Sequence, residues 1–220
     1  MKRGVIFDID GTLVDSNDAH AESWARTLAE FGYDVPAARV RPLIGMGGDK
    51  LLPELIGVDI ESELGKRLAK HRGELFEREY VPRLRAFPCA RDLAQRLRSD
   101  GYILIVASSA GEDQLEKLIE VSGIEDLLAD TTSADDAERS KPDPDIVHAA
   151  LSRGALDPAN AVMIGDTPYD VEASLRAGVV IIGVRSGGWS DSDLQGAAAI
   201  YDDVAEVLRE YEDSLLAPRH

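Results

Sequence analysis

The sequence predicts an α/β fold: a doubly wound parallel sheet with a small α-helical domain inserted after its first strand. Three observations lead there. Four short apolar runs, Val5-Ile6-Phe7, Ile103 to Val106, Ala161 to Ile164 and Val179 to Val184, are β-branched-rich and nearly continuous. Strands covered on both faces have that composition, whereas half-exposed strands alternate. Helical patterns separate the runs, and strands alternating with helices indicate parallel βαβ units. One long stretch after the first run carries no strand pattern at all.

The first strand leads into "GVIFDIDGTLVDS", Gly4 to Ser16. From about Asn17 to Arg83 the pattern is helical. Ala21, Trp24, Ala25 and Leu28 share one helix face, Leu51, Leu52, Leu55 and Ile56 form a second cluster, and Leu64, Leu68, Leu75 and Phe76 support further helices. The expected division is a core of residues 1–16 and 84–220 with a helical domain at 17–83, hinged at Leu13–Ser16 and about Pro82–Pro88. Leu93 and Leu97 fit a helix closing at Gly101. Leu115, Leu118, Ile119 and Ser122 recur at helical spacing, with Gly123 placed to end that helix. Leu175 fits another, with Pro168 near its start and Gly178 past its end. The C-terminal "EVLREYEDSLL" reads as a closing amphipathic helix.

The 220 residues, 44% hydrophobic and 30% charged, suffice for a full globular core. Asp and Glu number 41 against 24 Lys and Arg, a net charge of −17. That balance excludes nucleic acid as a partner, because such affinity comes largely from cations on phosphates. An anionic substrate needs a local pocket of positive charge. The single cysteine, Cys89, precludes an internal disulfide and fits packing in a reducing compartment. No apolar run is long enough to span a membrane, and Asp8 and Asp10 interrupt the N-terminal one, so a cytoplasmic location is expected.

Asp8 follows the first strand, Ser108 the second and Asp166 a later one. Open parallel sheets bind ligands beyond the carboxyl ends of their strands, so these polar residues converge on one edge. Each has a plainer explanation alone. Asp-Gly is a hairpin signal, but no returning strand follows. A calcium loop wants glycine at its sixth position, and Gly11 would be fourth. Ser108, with Ser109 and Ala110 opening the next helix, could be only a cap, although a helix N-terminus also seats phosphate. Lys141, in "SKPDPD", could be a solvated lysine, and Asp166 and Asp170, in "MIGDTPYD", a simple cap.

Together, in chain order, DxDGT, a serine after a strand, a lysine and GDxxxD after a strand resemble the haloacid dehalogenase-like phosphatase superfamily, over about Val5 to Glu210. The resemblance implies a Rossmann-like core and a chemistry. Asp8 would be the nucleophile that takes up the phosphoryl group, and Asp10 the general acid and then base. Mg²⁺ would sit against Asp8, the backbone carbonyl of Asp10, and Asp166, with Asp170 supporting the site. Lys141, Ser108, Ser109 and the N–H groups around Gly11 would hold the phosphate. The helical insert would be the cap that closes over the site and selects substrate. His20 would approach Asp10, with Trp24 beside it at i, i+4. Gly47, in the loop "IGMGGDK", and Lys50, Lys70 and Arg72 are candidate substrate contacts, or simply exposed charges.

The implied activity is a Mg²⁺-dependent phosphatase of a small phosphorylated metabolite, resembling phosphoglycolate phosphatases, in a monomer or homodimer. The rival is a phosphomutase of the β-phosphoglucomutase type. The His20/Trp24 spacing resembles the mutases. Gly47-Gly48 stands near where mutases have serine and a phosphate-binding arginine, and Gly165-Asp166-Thr167 resembles phosphatases rather than the mutases' Glu-Asp-Ser.

Overall fold

The computed structural model describes residues 2–218. Six strands form one all-parallel sheet in the order β3-β2-β1-β4-β5-β6. They are β1 (Arg3–Phe7), β2 (Tyr102–Ala107), β3 (Asp130–Thr132), β4 (Ala161–Gly165), β5 (Val180–Val184) and β6 (Ala199–Tyr201). The chain winds outward from β1 through β2 to β3, then crosses back to β4 and winds the other way. The switch point therefore lies at β1, between β2 and β4.

Side-chain alternation divides the core into two layers. Val5 and Phe7 face the layer that holds Leu93 and Leu97 of α5 (Ala90–Ser99), Leu115 and Leu118 of α6 (Glu112–Ser122), and Val207 of α9 (Val204–Arg209). Ile6 faces the other layer, with Val147 and Ala150 of α7 (Asp145–Gly154) and Val171 and Ala173 of α8 (Pro168–Arg176). Four strands fall where apolar runs predict them. The two others, "DTT" and "AIY", are three-residue edge strands paired on one side only; the first is polar and the second apolar but only half-buried, so neither carries the β-branched run of a central strand.

Between β1 and α5 lie α1 (Asn17–Glu30), α2 (Ala37–Val40), α3 (Gly48–Ile56) and α4 (Glu63–Glu79). Ala21, Trp24, Leu28, Leu51, Leu52, Leu55 and Leu68 gather in a cluster of their own. Leu75 and Phe76, near the end of α4, pack instead with the sheet's core. The chain segments entering and leaving this insert run antiparallel: Asp15 N–H donates to Arg85 O (3.0 Å) and Phe87 N–H to Leu13 O (2.9 Å).

Three local expectations need correction. Ser109 and Ala110 do not open α6, which begins at Glu112 with Gly111 as its N-cap. Leu175 lies on α8, but its side chain is exposed; the buried face is Val171, Ala173 and Ser174. The C-terminal segment is not one helix. α9 stops at Arg209, and a short 3₁₀ turn over Tyr211–Asp213 lets both Tyr211 and Leu216 reach the core, which a continuous helix would not do.

Candidate active site

Register places the site. Phe7 lies between Val106 and Ile164, so Asp8, Ser108 and Asp166 emerge from adjacent strands at the same edge. Lys141 arrives from the segment between β3 and α7, and its side chain is only 1% exposed. Its Nζ donates to Asp8 Oδ1 at 2.5 Å and to Ala107 O at 3.1 Å, and lies 2.7 Å from Asp170 Oδ1. The plain alternative of a solvated lysine is thereby ruled out. Burial would lower its pKa, but Asp170 and Asp8 outweigh that and raise it above the ordinary lysine range.

Asp170 also caps α8. Its Oδ2 accepts from Thr167 N–H at 3.0 Å and Thr167 Oγ1 at 2.6 Å, with Pro168 in the first turn. Both of its oxygens are thus engaged, which suits a supporting carboxylate. Asp166 is fully buried and accepts from Thr12 Oγ1 at 3.2 Å and Asn17 Nδ2 at 2.9 Å. Gly187 backs this carboxylate so closely that an added Cβ would stand 1.7 Å from Asp166 Oδ2.

Asp8, Asp166 and Asp170 bring carboxylate oxygens within 4.8 Å of one another. Burial first, and then the neighbouring carboxylates, push Asp8 up to about 7 against the pull of Lys141. The same causes raise Asp166 well above its usual value, against Asn17 and Lys141. One ammonium therefore leaves an excess of negative charge in a dry, all-oxygen setting, and Asn17 Oδ1 is buried there without a partner. A hard dication such as Mg²⁺ fits that donor set.

Asp10 sits apart from this group. Its Oδ1 accepts from Ser16 Oγ at 2.5 Å and meets His20 Nε2 at 2.6 Å. The other His20 nitrogen, Nδ1, faces a guanidinium nitrogen of Arg72. Arginine can only donate, so Nδ1 is the acceptor, Nε2 carries the proton, and His20 donates to Asp10. Burial lowers the His20 pKa, and Arg72 adds to that against the pull of Asp10. Burial alone would raise Asp10, but His20, Ser16 and Arg72 outweigh it and hold the carboxyl below its ordinary value. Phe76 stacks on the imidazole at 4.3 Å and fixes its plane.

In front of Asp8, Asp10, His20, Ser108 and Ser109 opens a cavity of about 570 Å³. The insert supplies its roof. Ser108 Oγ accepts from Ala110 N–H at 3.1 Å, and Ser109 Oγ is buried with no partner.

A family model described as haloacid dehalogenase-like hydrolase matches residues 5–184. The chain belongs to this family. A phosphoglycolate phosphatase of Rhodospirillum rubrum is 30% identical over 94% of this haloacid dehalogenase-like hydrolase and 90% of its own length. A hydrolase from Pseudomonas syringae superposes with a TM-score of 0.89 at 26% identity, covering 97% of this chain and 99% of the other. A candidate β-phosphoglucomutase from Bacteroides vulgatus gives 0.84 at 26% identity, covering 96% and 88%.

Several family-derived expectations meet a different geometry in this hydrolase. The Gly11 N–H donates to Val14 O at 2.8 Å and closes a turn, so it is not turned to a phosphate. Gly47 and Lys50 do not line the cavity. Gly47 N–H donates to Ser140 Oγ (3.0 Å), and Lys50 Nζ to Ser140 O (2.6 Å) and Asp143 Oδ2 (2.5 Å). With Asp49 Oδ1 accepting from Ser140 Oγ at 2.5 Å, they clasp the insert to the segment bearing Lys141. Lys70 is exposed beside Glu74. Arg72 is buried and lines the cavity, but is held by His20, Ser23 and Gln114. Thr12, Ser16, Asn17 and Gly187 escaped the sequence analysis, although the first three stand within the stretch that follows Asp10.

Proposed function

We propose that this hydrolase is a Mg²⁺-dependent phosphatase, hydrolysing a small phosphorylated metabolite through a phosphorylated Asp8. The observation that carries it is the buried Lys141 ammonium, 2.5 Å from Asp8 and 2.7 Å from Asp170, behind a cavity that Asp8 and Asp10 line. The helical insert serves as the cap.

In the first half-reaction an Asp8 carboxylate oxygen bonds to phosphorus as the ester P–O bond breaks. The leaving oxygen takes a proton from Asp10, whose carboxyl, held low in the free site by His20, Ser16 and Arg72, takes up that proton when an anionic phosphate binds beside it. In the second, Asp10 removes a proton from water, whose oxygen displaces the Asp8 carboxylate and releases inorganic phosphate. Lys141 offsets charge on Asp8 and on a phosphoryl oxygen, and Ser108 and Ser109 offer hydroxyls to the others. Asp8, the Asp10 carbonyl and Asp166 would hold Mg²⁺, which when bound supplies charge neutralisation for the phosphoryl group. His20 and Ser16 both engage Asp10 Oδ1, leaving Oδ2 as the oxygen for proton exchange.

A phosphomutase shares the first half-reaction and differs in returning the phosphoryl group to a sugar hydroxyl. Gly47-Gly48 and Gly165-Asp166-Thr167 support the phosphatase over it. The test is phosphate release from p-nitrophenyl phosphate and a metabolite panel with Mg²⁺. Asp8→Asn should abolish release, and wild-type turnover by that variant would overturn the proposal. Conversion of β-glucose 1-phosphate to an isomer without phosphate release would establish the mutase instead.

A further inference from the structure

The cavity has three kinds of wall. Its floor is the polar group around Asp8 and Ser108. Its roof, from the insert, is apolar: Trp24, Ile44, Met46, Leu51 and Ile60. Its remaining side carries Glu112, Asp113 and Asp135.

Among the described residues that line it, the only cationic side chain is Arg72. That guanidinium is already committed. Nε donates to Ser23 Oγ at 3.2 Å, Nη1 to Gln114 Oε1, and Nη2 to His20 Nδ1. It also lies over the rings of Phe76 and Trp24, 4.5 and 5.4 Å from their centroids. Burial depresses its pKa to about 10, against the pull of Asp10, and it remains charged at neutral pH. Its charge therefore serves Asp10 and the imidazole, and a second ligand anion would have to break one of those hydrogen bonds. The cations expected to receive such an anion, Lys50 and Lys70, are respectively clasped to Asp143 and exposed on α4.

Resting on the phosphatase proposal, we infer that the substrate is a phosphate monoester whose leaving group bears no second anion, and that an amine there is favoured. A remote carboxylate or phosphate would be stripped of water against an apolar roof, with no free cation and three carboxylates opposite. An apolar flank of the leaving group gains from the same roof. An ammonium gains from Glu112, Asp113 and Asp135 in addition.

Three six-carbon sugar monophosphates of similar mass vary the charge: glucosamine 6-phosphate, glucose 6-phosphate and the open-chain 6-phosphogluconate. Their dissociation constants are measured by calorimetry on the Asp8→Asn variant with Mg²⁺, which needs no turnover. The 6-phosphogluconate should bind about tenfold more weakly than glucose 6-phosphate, and glucosamine 6-phosphate several-fold more tightly, the scale expected of partly exposed charges. The spread should narrow in high salt, and in Glu112→Gln/Asp113→Asn, because both weaken the rim's field. Equal affinities, or tighter binding of 6-phosphogluconate, would overturn the inference. An amine no better than a hydroxyl would remove its second clause. Phosphate release by the wild-type protein from p-nitrophenyl phosphate and the metabolite panel is read separately. Its absence would refute the phosphatase proposal, whereas a wrong order of affinities with intact turnover would refute only the charge class.

Discussion

Replacing Lys141 by methionine removes one ammonium and keeps the bulk of the side chain. The ammonium is 2.5 Å from Asp8 and 2.7 Å from Asp170, in a side chain 1% exposed. Water cannot take its place, so two carboxylates lose their counter-charge in a dry interior. Removing one partner of a buried pair costs about 3–5 kcal/mol. For a chain of this length each kcal/mol lowers Tm by roughly 2–4 °C, so the loss without divalent metal should be about 6–20 °C. It should also grow with pH. Asp8 is already pushed up to about 7. A folded-state pKa above the unfolded value means stability present in acid and lost as pH rises through the folded pKa. Without Lys141 that pKa climbs further, so the gap between wild type and variant should be wider near about pH 8 than near about pH 5. Phosphate release should fall by about 10²–10³, the cost of losing one preorganised charge-stabilising group. Thermal unfolding across pH and a phosphate-release assay read both effects. Adding Asp170→Asn to the variant should restore part of the lost Tm, because one uncompensated charge goes with it. A Tm within about 2 °C of wild type, with activity within about tenfold, would refute the electrostatic account of this lysine.

Three other outcomes are expected. Mg²⁺ should raise Tm, by about 2.7 kcal/mol of stability when present at about 100-fold its dissociation constant, and EDTA should abolish both that shift and phosphate release. Gly187→Ala should thrust its Cβ at Asp166. The Mg²⁺ concentration giving half-maximal activity should then rise by about tenfold, while overpacking lowers stability by about 1–3 kcal/mol, both measurable by titration and thermal melts. The third outcome concerns the clasp, where the hydrogen bond from Lys50 holds Asp143 below the usual carboxylate range. A depressed folded pKa contributes stability above the unfolded pKa and loses it as pH falls through the folded one. The Tm difference between wild type and Asp143→Asn should therefore be present at neutral pH and shrink as pH falls below the ordinary carboxylate range.

The core strands and their shared edge were legible because a parallel sheet buried on both faces writes each strand as an apolar run. Asp8, Ser108 and Asp166 follow such runs directly, so their convergence needed no knowledge of distant contacts. The edge strands were not legible. "DTT" and "AIY" bury little and pair once, so topology alone makes them strands. The polar turn after Asp10 was visible as "GTLVDSN", but nothing in its composition told that Thr12 and Asn17 reach Asp166, or that Ser16 reaches Asp10.

By itself, the sequence determined the α/β class, the helical insert and the identity of the residues at the sheet's edge, because these depend on local periodicity and strand-end position. Tertiary structure alone decided which charges face one another. Lys141, Lys50 and Arg72 are indistinguishable as cations in the chain. One is sealed between Asp8 and Asp170, one is spent on the clasp with Ser140 and Asp143, and one is locked behind His20. The difference is set by burial and by which distant element packs alongside, and those determine whether a charge is neutralised, solvated or free to meet a ligand.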